Sequence, residues 1–221
     1  AEAYKQGKKM TTSCCPAFVN MIRQHFPTLL EHMSTTVSPM CAVSRMLKSE
    51  DPDVVTVFIG PCIAKKSESL DLSIQGNADY VLTMEEARAM MRARGVELEP
   101  EPNSLQDGSV FGKRFGNGGG VTAAVLECLK ESGENTDINV MKCNGAAECK
   151  KALLLLRAGK LPADFIEGMA CVGGCVGGPS KHKSEQEAKK ARDLLIGQAD
   201  AREVHENLSR YPMDRFSMHR H

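Results

Sequence analysis

Cysteines are the residues of this 221-residue chain best suited to chemistry, and there are nine of them. Four, Cys15, Cys62, Cys171 and Cys175, lie in segments rich in Gly and Pro. Four thiolates are the ligand set of a cubane iron–sulfur cluster. Zinc is the main alternative, but its structural sites usually pair cysteines about two to four residues apart, and only Cys171 and Cys175 loosely fit that spacing. The cysteine pattern therefore favours an iron–sulfur cluster over zinc.

Cys14 directly precedes Cys15, and neighbouring side chains on an extended or turn segment point in different directions. We therefore expect only one of the two to bind the cluster, which leaves Cys14 free for another task such as proton transfer. The glycines around Cys171 and Cys175 allow the backbone to approach a cluster closely and to turn its amides toward the sulfurs.

Composition excludes several other classes of function. The 28 Lys and Arg residues balance the 28 Asp and Glu residues and are mixed along the chain, so nucleic acid is not an expected partner. The longest apolar run, 152–156, is far shorter than the ~20 residues of a membrane span, and no signal-type apolar stretch follows the N-terminus. We expect a soluble, cytoplasmic protein without a disulfide framework.

Hydrophobic spacing predicts strands that alternate with helices. The expected strands are 54–59, buried and ending at Gly60-Pro61, 80–82, and 164–169. The first expected helix is 17–32, and a second follows a Thr83–Glu86 capping box and ends at Gly95. A third, 121–130, comes after the glycine-rich turn 116–120. The last two are a helix that starts after 138–141 and runs to Arg157, and the charged segment 184–208. This order predicts an α/β fold with a mainly parallel or mixed sheet, whose strand ends place the cysteines in loops.

Three segments resemble the signature motifs of the di-iron (FeFe) hydrogenases. They are Thr-Ser-Cys-Cys-Pro-Ala-Phe at 12–18, Gly-Pro-Cys-Ile-Ala-Lys-Lys-Ser-Glu at 60–68, and Glu-Gly-Met-Ala-Cys-Val-Gly-Gly-Cys-Val-Gly-Gly at 167–178. All three occur in the order of the family, and Ser34 and Ser38-Pro39 lie between the first two. The resemblance covers 11–180 and implies an iron-only hydrogenase-like fold.

The resemblance implies a four-iron cluster joined through a cysteine sulfur to a di-iron unit, together called the H-cluster. The di-iron unit carries carbon monoxide, cyanide and a bridging dithiolate amine. Matched motif by motif, Cys15, Cys62, Cys171 and Cys175 are the implied cluster ligands, and Cys175 is the implied bridge.

The same resemblance implies four further roles. Cys14 matches the thiol that passes protons to the bridging amine, and Ser34 matches by spacing a hydroxyl of the proton path. Lys65 matches the ammonium donor to an iron-bound cyanide, which is a suitable anion for a buried lysine. Met169 matches the thioether that packs beside the irons.

We expect 1–180 to be the H-cluster-binding part of the catalytic domain and 181–221 to be its C-terminal helical tail. The family has a further lobe before the first motif, with two glutamates of the proton path, whereas only thirteen residues precede Cys14. We therefore expect that lobe on a longer polypeptide or on a separate chain, and the initial Ala favours processing or truncation. Gly60, Phe18 and Pro179 depart from the common motifs and indicate a divergent, group B-like member.

The implied function is reversible hydrogen oxidation and proton reduction, with a ferredoxin-type electron carrier and maturation proteins as partners. One alternative is a hydrogenase-like 4Fe-4S protein without di-iron that acts in electron transfer or iron–sulfur assembly. Such relatives generally lack the first cysteine of the pair, so Cys14 argues against it. A hydrogen sensor is a further alternative, although no signalling module is visible.

Other candidate residues have simpler explanations. Cys143 and Cys149 could form a second cluster or redox pair, but buried thiols are favoured, and Cys41 and Cys128 fit helical core positions. For His219 and His221 the expectation is a frayed or partner-facing tail.

Overall fold

The computed structural model describes residues 2–97, 108–200 and 202–220. Within these residues the strands are β1 (Met10–Thr11), β2 (Val57–Gly60), β3 (Tyr80–Thr83), β4 (Val140–Asn144) and β5 (Phe165–Met169). The α-helices are α1 (Glu2–Lys5), α2 (Pro16–His25), α3 (Pro39–Glu50), α4 (Ala64–Ser69), α5 (Met84–Ala93), α6 (Val110–Arg114), α7 (Gly120–Glu131), α8 (Ala146–Arg157), α9 (Glu185–Gly197) and α10 (Val204–Leu208). No helix in the described ranges is long and apolar enough to cross a membrane.

The larger sheet has three parallel strands in the order β1-β5-β4. Phe165 of β5 lies opposite Met10 on one side and Val140 on the other. Strand β5 is buried on both sides, which explains its nearly continuous apolar sequence. Helices α2 and α8 pack together beside this sheet, and the main hydrophobic core lies between these elements, with Phe18, Ile22 and Leu153 completely buried.

The smaller sheet pairs β2 and β3 in parallel, with Val57 opposite Tyr80. Its inner face packs Phe58 and Val81 against Met40 of α3. Our prediction of a buried strand is wrong for the other face, because the side chains of Val57, Ile59 and Tyr80 are exposed there. The sheet has only two strands in the described part of the chain, and no described element covers this outer face.

The α/β prediction is confirmed, and several boundaries differ from those expected. The predicted helix 17–32 ends at His25, because Phe26 has a non-helical backbone and Pro27 begins a separate 3-10 turn that runs to His32. Strand β2 begins at Val57 rather than at 54. The short strand β1 was not predicted, since its two residues carry no periodic signal.

The capping box that was predicted for helix α5 is present. The Thr83 side chain accepts a hydrogen bond from the Glu86 backbone N–H, and the Glu86 carboxylate accepts one from the Thr83 N–H. Lys66 of helix α4 donates to the same carboxylate, which lowers the pKa of Glu86 to about 2. This contact connects α4, which follows Cys62, to the start of α5.

The end of the described chain is docked, so the prediction of a frayed tail is wrong. His219 forms an antiparallel bridge with Thr36, and the Val37 N–H donates to the Met218 carbonyl at 2.8 Å. Arg45 of helix α3 donates to the carbonyls of Ser217 and His219. His221 lies outside the described residues.

Candidate metal centre

The four cysteines predicted as cluster ligands all follow strands of the two parallel sheets. Cys15 lies just after β1 as the N-cap residue of α2, and Cys62 follows β2 by two residues. Cys171 follows β5 by two residues, and Cys175 begins a 3-10 turn in the same loop. The larger sheet thus positions three of the thiols, and the smaller sheet positions the fourth.

The charges of these thiols act on one another. Burial, followed by negative charge on Cys15 and Cys62, raises the pKa of Cys175 to about 11. Burial likewise raises the pKa of Cys171, and negative charge on Cys15 and Cys62 contributes to the same rise. The four thiols are thus coupled through charge, and each follows a strand of a parallel sheet. Bound cations would reverse the effect, since coordinating thiols lose their protons.

Four cysteine thiols are the donor set of a cubane iron–sulfur cluster. In the described ranges no three Cys, His, Asp or Glu side chains converge closely enough to hold one metal ion. A cubane instead takes one thiolate on each iron, so its four ligands surround the cluster. The donor set and its arrangement therefore suit an iron–sulfur cluster.

Glycines allow the backbone to close around Cys175. The Cys175 N–H donates to the Gly116 carbonyl at 2.8 Å, so the glycine-rich turn 116–120 lies against the third motif. A Cβ added to Gly174 would lie 2.4 Å from that same carbonyl oxygen, and one added to Gly178 would lie 2.5 Å from the Pro61 carbonyl oxygen. The glycine-rich turn and the loop of Cys175 are therefore in direct backbone contact.

Glu167 of strand β5 holds the glycine-rich turn in place. Its side chain is almost completely buried, and its carboxylate accepts hydrogen bonds from the Gly119 N–H at 2.7 Å and the Thr122 N–H at 3.0 Å. The Thr122 hydroxyl donates to the same carboxylate. These donors stand at the N-terminus of helix α7, where negative charge is favourable. A strand residue thus fixes the turn that contacts Cys175.

Cys14 and Ser34 lie on one cleft of about 390 Å³. The Ser34 N–H donates to the Thr11 carbonyl, which ties this segment to strand β1. Burial raises the pKa of Cys14 to about 12, and charge on Cys15 and Cys175 adds to the effect. The predicted separation of Cys14 from a ligand role is therefore compatible with a thiol that keeps its proton.

Lys65 lies in a buried polar network. Its ammonium donates to the Ser38 hydroxyl at 2.6 Å and to the Glu68 carboxylate at 2.7 Å, and the Ser38 hydroxyl donates to the same carboxylate. Burial raises the pKa of both Cys14 and Cys175, and the charge of Lys65 opposes part of that rise. The lysine is therefore the cation of this region that acts on both thiols.

Met169 ends strand β5 and is buried. Its carbonyl accepts the Gly145 N–H at 2.7 Å, which joins the end of β5 to the start of helix α8. The structure therefore brings the predicted residues to the loops at one end of the two sheets. These residues are Cys14, Cys15, Ser34, Cys62, Lys65, Met169, Cys171 and Cys175.

Sequence reasoning missed four polar residues of this region. Glu68 follows Lys65 at helical i,i+3 spacing, and Glu167 is a lone charge in an apolar strand, so both carried a signal. Ser38 is the N-cap of α3, which explains its presence there but not its contact with Lys65. Arg220 carried no local signal, because its contacts join distant parts of the chain.

The remaining cysteines are mostly structural. Cys41, Cys143 and Cys149 are buried, and the last two are hydrogen-bonded to each other within the main core. Cys128 is only half-buried, with its sulfur 3.5 Å from the His205 ring, so the expected core position is wrong for this residue.

Comparison with known proteins identifies the class. The family described as "Iron only hydrogenase large subunit, C-terminal domain" matches residues 1–179. The chain belongs to this iron-only hydrogenase family, and iron–sulfur cluster binding is a property of the family that a set of four thiols suits.

Individual relatives include both enzymes and assembly factors. The chain is 32% identical over 211 residues to the periplasmic Fe hydrogenase large subunit of Nitratidesulfovibrio vulgaris, covering 76% of this chain and 50% of that protein. It is 24% identical to a probable cytosolic Fe-S cluster assembly factor of Brugia malayi, covering 90% of this chain and 55% of that protein. The chain thus spans about half the length of these relatives.

A solved structure shares the fold. The FeFe-hydrogenase HydA1 of Chlamydomonas reinhardtii superposes with a TM-score of 0.66 at 24% identity, covering 94% of this chain and 72% of that chain. The likeness confirms the α/β architecture and the arrangement of the strands.

Proposed function

We propose that this chain is the C-terminal part of an FeFe hydrogenase catalytic domain and interconverts hydrogen with protons and electrons. The observation that carries the proposal is Cys14, a protonated thiol that adjoins a cluster-ligand cysteine and opens on a cleft shared with Ser34. A protein that only stored or transferred an iron–sulfur cluster would have no use for this additional thiol.

Cys15, Cys62, Cys171 and Cys175 would hold the four-iron cluster, with Cys175 also joining it to the di-iron unit. When bound, the di-iron unit with its carbon monoxide, cyanide and dithiolate supplies the place where protons and electrons combine to hydrogen. Lys65 would direct its remaining N–H toward an anionic ligand, because Ser38 and Glu68 accept from only two of its three hydrogens. Buried Met169 would limit access of water.

Proton transfer would run through Cys14. Burial holds the pKa of Cys14 well above its usual range, so its sulfur carries a proton at neutral pH, and this is the proton that it would pass to the bound centre. After Cys14 has passed on its proton, its thiolate must take up another proton from the solvent, and the cleft offers a route for it. Ser34 lies on that cleft with its hydroxyl donating to Thr36, which is suitable for handing a proton onward.

Further parts of the enzyme would come from outside the described residues. We propose that the upstream lobe of the catalytic domain, on the same or a separate chain, covers the cleft beside Cys14 and the exposed face of the β2–β3 sheet. A ferredoxin-type carrier would exchange electrons with the four-iron cluster, and maturation proteins would insert the di-iron unit.

A second function has a specific observation in its favour, since Fe-S cluster assembly factors also match most of the chain. In that case the four cysteines would hold a cubane alone, in electron transfer or cluster assembly. Cys14 would then have no chemical role.

An infrared spectrum of the anaerobically matured, full-length protein would separate the two proposals. Bands of iron-bound carbon monoxide and cyanide are expected from the hydrogenase. A cubane signal in electron paramagnetic resonance without such bands would overturn it in favour of the assembly or electron-transfer function.

A further inference from the structure

The chain segment 217–220 forms a short strap beside the first motif. Its backbone bonds to the segment 35–37 on one side, through the Val37 N–H to the Met218 carbonyl and the Arg220 N–H to the Thr35 carbonyl, both at 2.8 Å. Arg45 fastens the other side. The strap therefore delivers the Arg220 side chain into the protein interior, where the residue is 6% exposed.

The Arg220 guanidinium reaches the first motif. One of its terminal nitrogens donates to the Ser13 carbonyl at 2.9 Å, directly before Cys14 in the chain. Ser13 is held from its side chain as well, since its hydroxyl donates to the Thr36 carbonyl at 2.6 Å. The strap and the segment beside it thus fix the residue that precedes Cys14 at two points.

The same guanidinium lies 3.9 Å from the Glu68 carboxylate. The Glu68 oxygen that faces it and the Arg220 Nε are both buried without a hydrogen-bond partner in the described part of the chain. Such buried charges are stable only when they compensate one another. Lys65, Glu68 and Arg220 together carry two positive charges and one negative, while Arg23 beside them is paired with Asp71. The network therefore keeps one net positive charge close to the thiols.

We propose that Arg220 is a positioning residue of this centre. It holds the Ser13 carbonyl so that Cys14 keeps its orientation, and its charge offsets that of Glu68, so that the network as a whole presents a net positive charge to an anionic ligand. This inference rests on the proposed function for the role of Lys65 toward such a ligand. The part that concerns Ser13 and Cys14 stands on the geometry alone.

The test uses the full-length protein with Arg220→Gln, Arg220→Lys and, as a matched control, Arg215→Gln, which removes an exposed arginine of the same tail. Amide hydrogen exchange in the segment 12–16 should become at least about tenfold faster in Arg220→Gln. Exchange should be unchanged in the control. Arg220→Lys should recover part of the protection, because it restores the charge but not the planar fork.

Two further readouts separate positioning from general stability. In the matured protein, the cyanide bands of Arg220→Gln should shift relative to wild type at equal iron content, and those of Arg220→Lys should lie between. Arg45→Gln removes the contacts of Arg45 with the strap but leaves the Arg220 guanidinium in place. It should therefore accelerate amide exchange at 35–37 more than at 12–16.

The outcomes are distinguishable. Unchanged exchange at 12–16 in Arg220→Gln, or equal effects of Arg220→Gln and Arg45→Gln at that segment, would overturn the positioning role. Absence of cyanide bands in the wild type would overturn the proposed function and the link to Lys65, while the exchange result would still decide whether Arg220 orients Cys14. If Arg220→Gln does not fold, the Lys variant supports the same comparison.

Discussion

Cys14 and Cys15 are neighbours in the chain with different surroundings. Cys15 occupies the N-cap position of helix α2 and is one of the four proposed cluster ligands, whereas Cys14 lines the cleft that also contains Ser34. We expect Cys14→Ser to retain iron at the wild-type level and to lower hydrogen evolution at least about 100-fold, because a serine hydroxyl is a much weaker proton donor. Iron analysis and gas chromatography of the matured protein measure the two effects.

Cys128→Ser is the control for that experiment, because Cys128 is a half-buried thiol whose neighbour is His205 rather than the centre. It should leave iron content and activity unchanged. Wild-type hydrogen evolution by Cys14→Ser would show that the thiol is not in the proton path.

Glu167 concentrates three hydrogen bonds on one buried carboxylate. A glutamine side chain has one acceptor oxygen and one NH₂ group, and that NH₂ group would face backbone N–H or hydroxyl donors without forming a hydrogen bond. Glu167→Gln should therefore lower the free energy of unfolding by about 2–3 kcal/mol. Iron content should fall as well, since the turn against Cys175 is loosened. Urea unfolding and iron analysis test this, with the exposed Glu148→Gln as the control. Equal stability of both variants would contradict the assigned role.

The loop that contains Cys171 and Cys175 depends on backbone that only glycine can provide. Gly174 has φ +84° and ψ −163°, and a Cβ there would collide with the Gly116 carbonyl. Gly174→Ala should therefore abolish iron binding. Gly133 also has a positive φ, but nothing lies within 4 Å of its added Cβ, so Gly133→Ala should cost about 1 kcal/mol and leave iron content unchanged. Full iron content in Gly174→Ala would contradict this account of the loop.

The smaller sheet has an acid-sensitive contact at its edge. The Asp79 carboxylate accepts from Lys48 and from the Thr56 N–H, and these bonds lower its pKa from 3.8 to about 2. A lowered pKa stabilises the fold above about pH 4, and this contribution is lost as the pH falls toward 2. Because the side chain is about one-third exposed, the contribution should be roughly 1 kcal/mol.

Asp79→Asn should therefore destabilise the protein at pH 7 and flatten the decline of its stability between about pH 4 and pH 2. Thermal unfolding across that range measures both effects. If the stability of the variant declined between about pH 4 and pH 2 as steeply as that of the wild type, the pH dependence would come from other carboxylates.

Elements whose sequence signals are local could be predicted, whereas elements that depend on contacts between distant residues could not. The capping box of α5 and the apolar spacing of α2 are local, so both helices could be predicted. Strand β1 has two residues and exists only because β5 lies beside it, a pairing of residues more than 150 positions apart. The cysteines could be found from motif and composition, whereas Arg220 and Glu68 meet only in three dimensions.

At the scale of the whole molecule, the candidate centre joins the two sheets. Cys15, Cys171 and Cys175 follow strands of the larger sheet, and Cys62 follows the smaller one. Cluster binding should therefore stabilise the smaller sheet most, since metal binding adds its free energy to the folded state. Hydrogen exchange at β2 and β3 should be faster without iron and should slow on cubane loading.

Cys62→Ser should remove that difference, because it breaks the link to the smaller sheet, while Cys128→Ser should preserve it. Equal slowing of exchange in both sheets on iron loading would mean that the sheets are already coupled through the protein alone.

The contact between Arg220 and the Ser13 carbonyl spans 207 positions of the chain. At synthesis rates of about 5–20 residues per second, roughly 10–40 s pass between the appearance of Ser13 and that of Arg220 on the ribosome. During this interval the nascent first motif lacks the Arg220 contact. We therefore expect cluster insertion to follow the synthesis of Arg220 and its docking against Ser13.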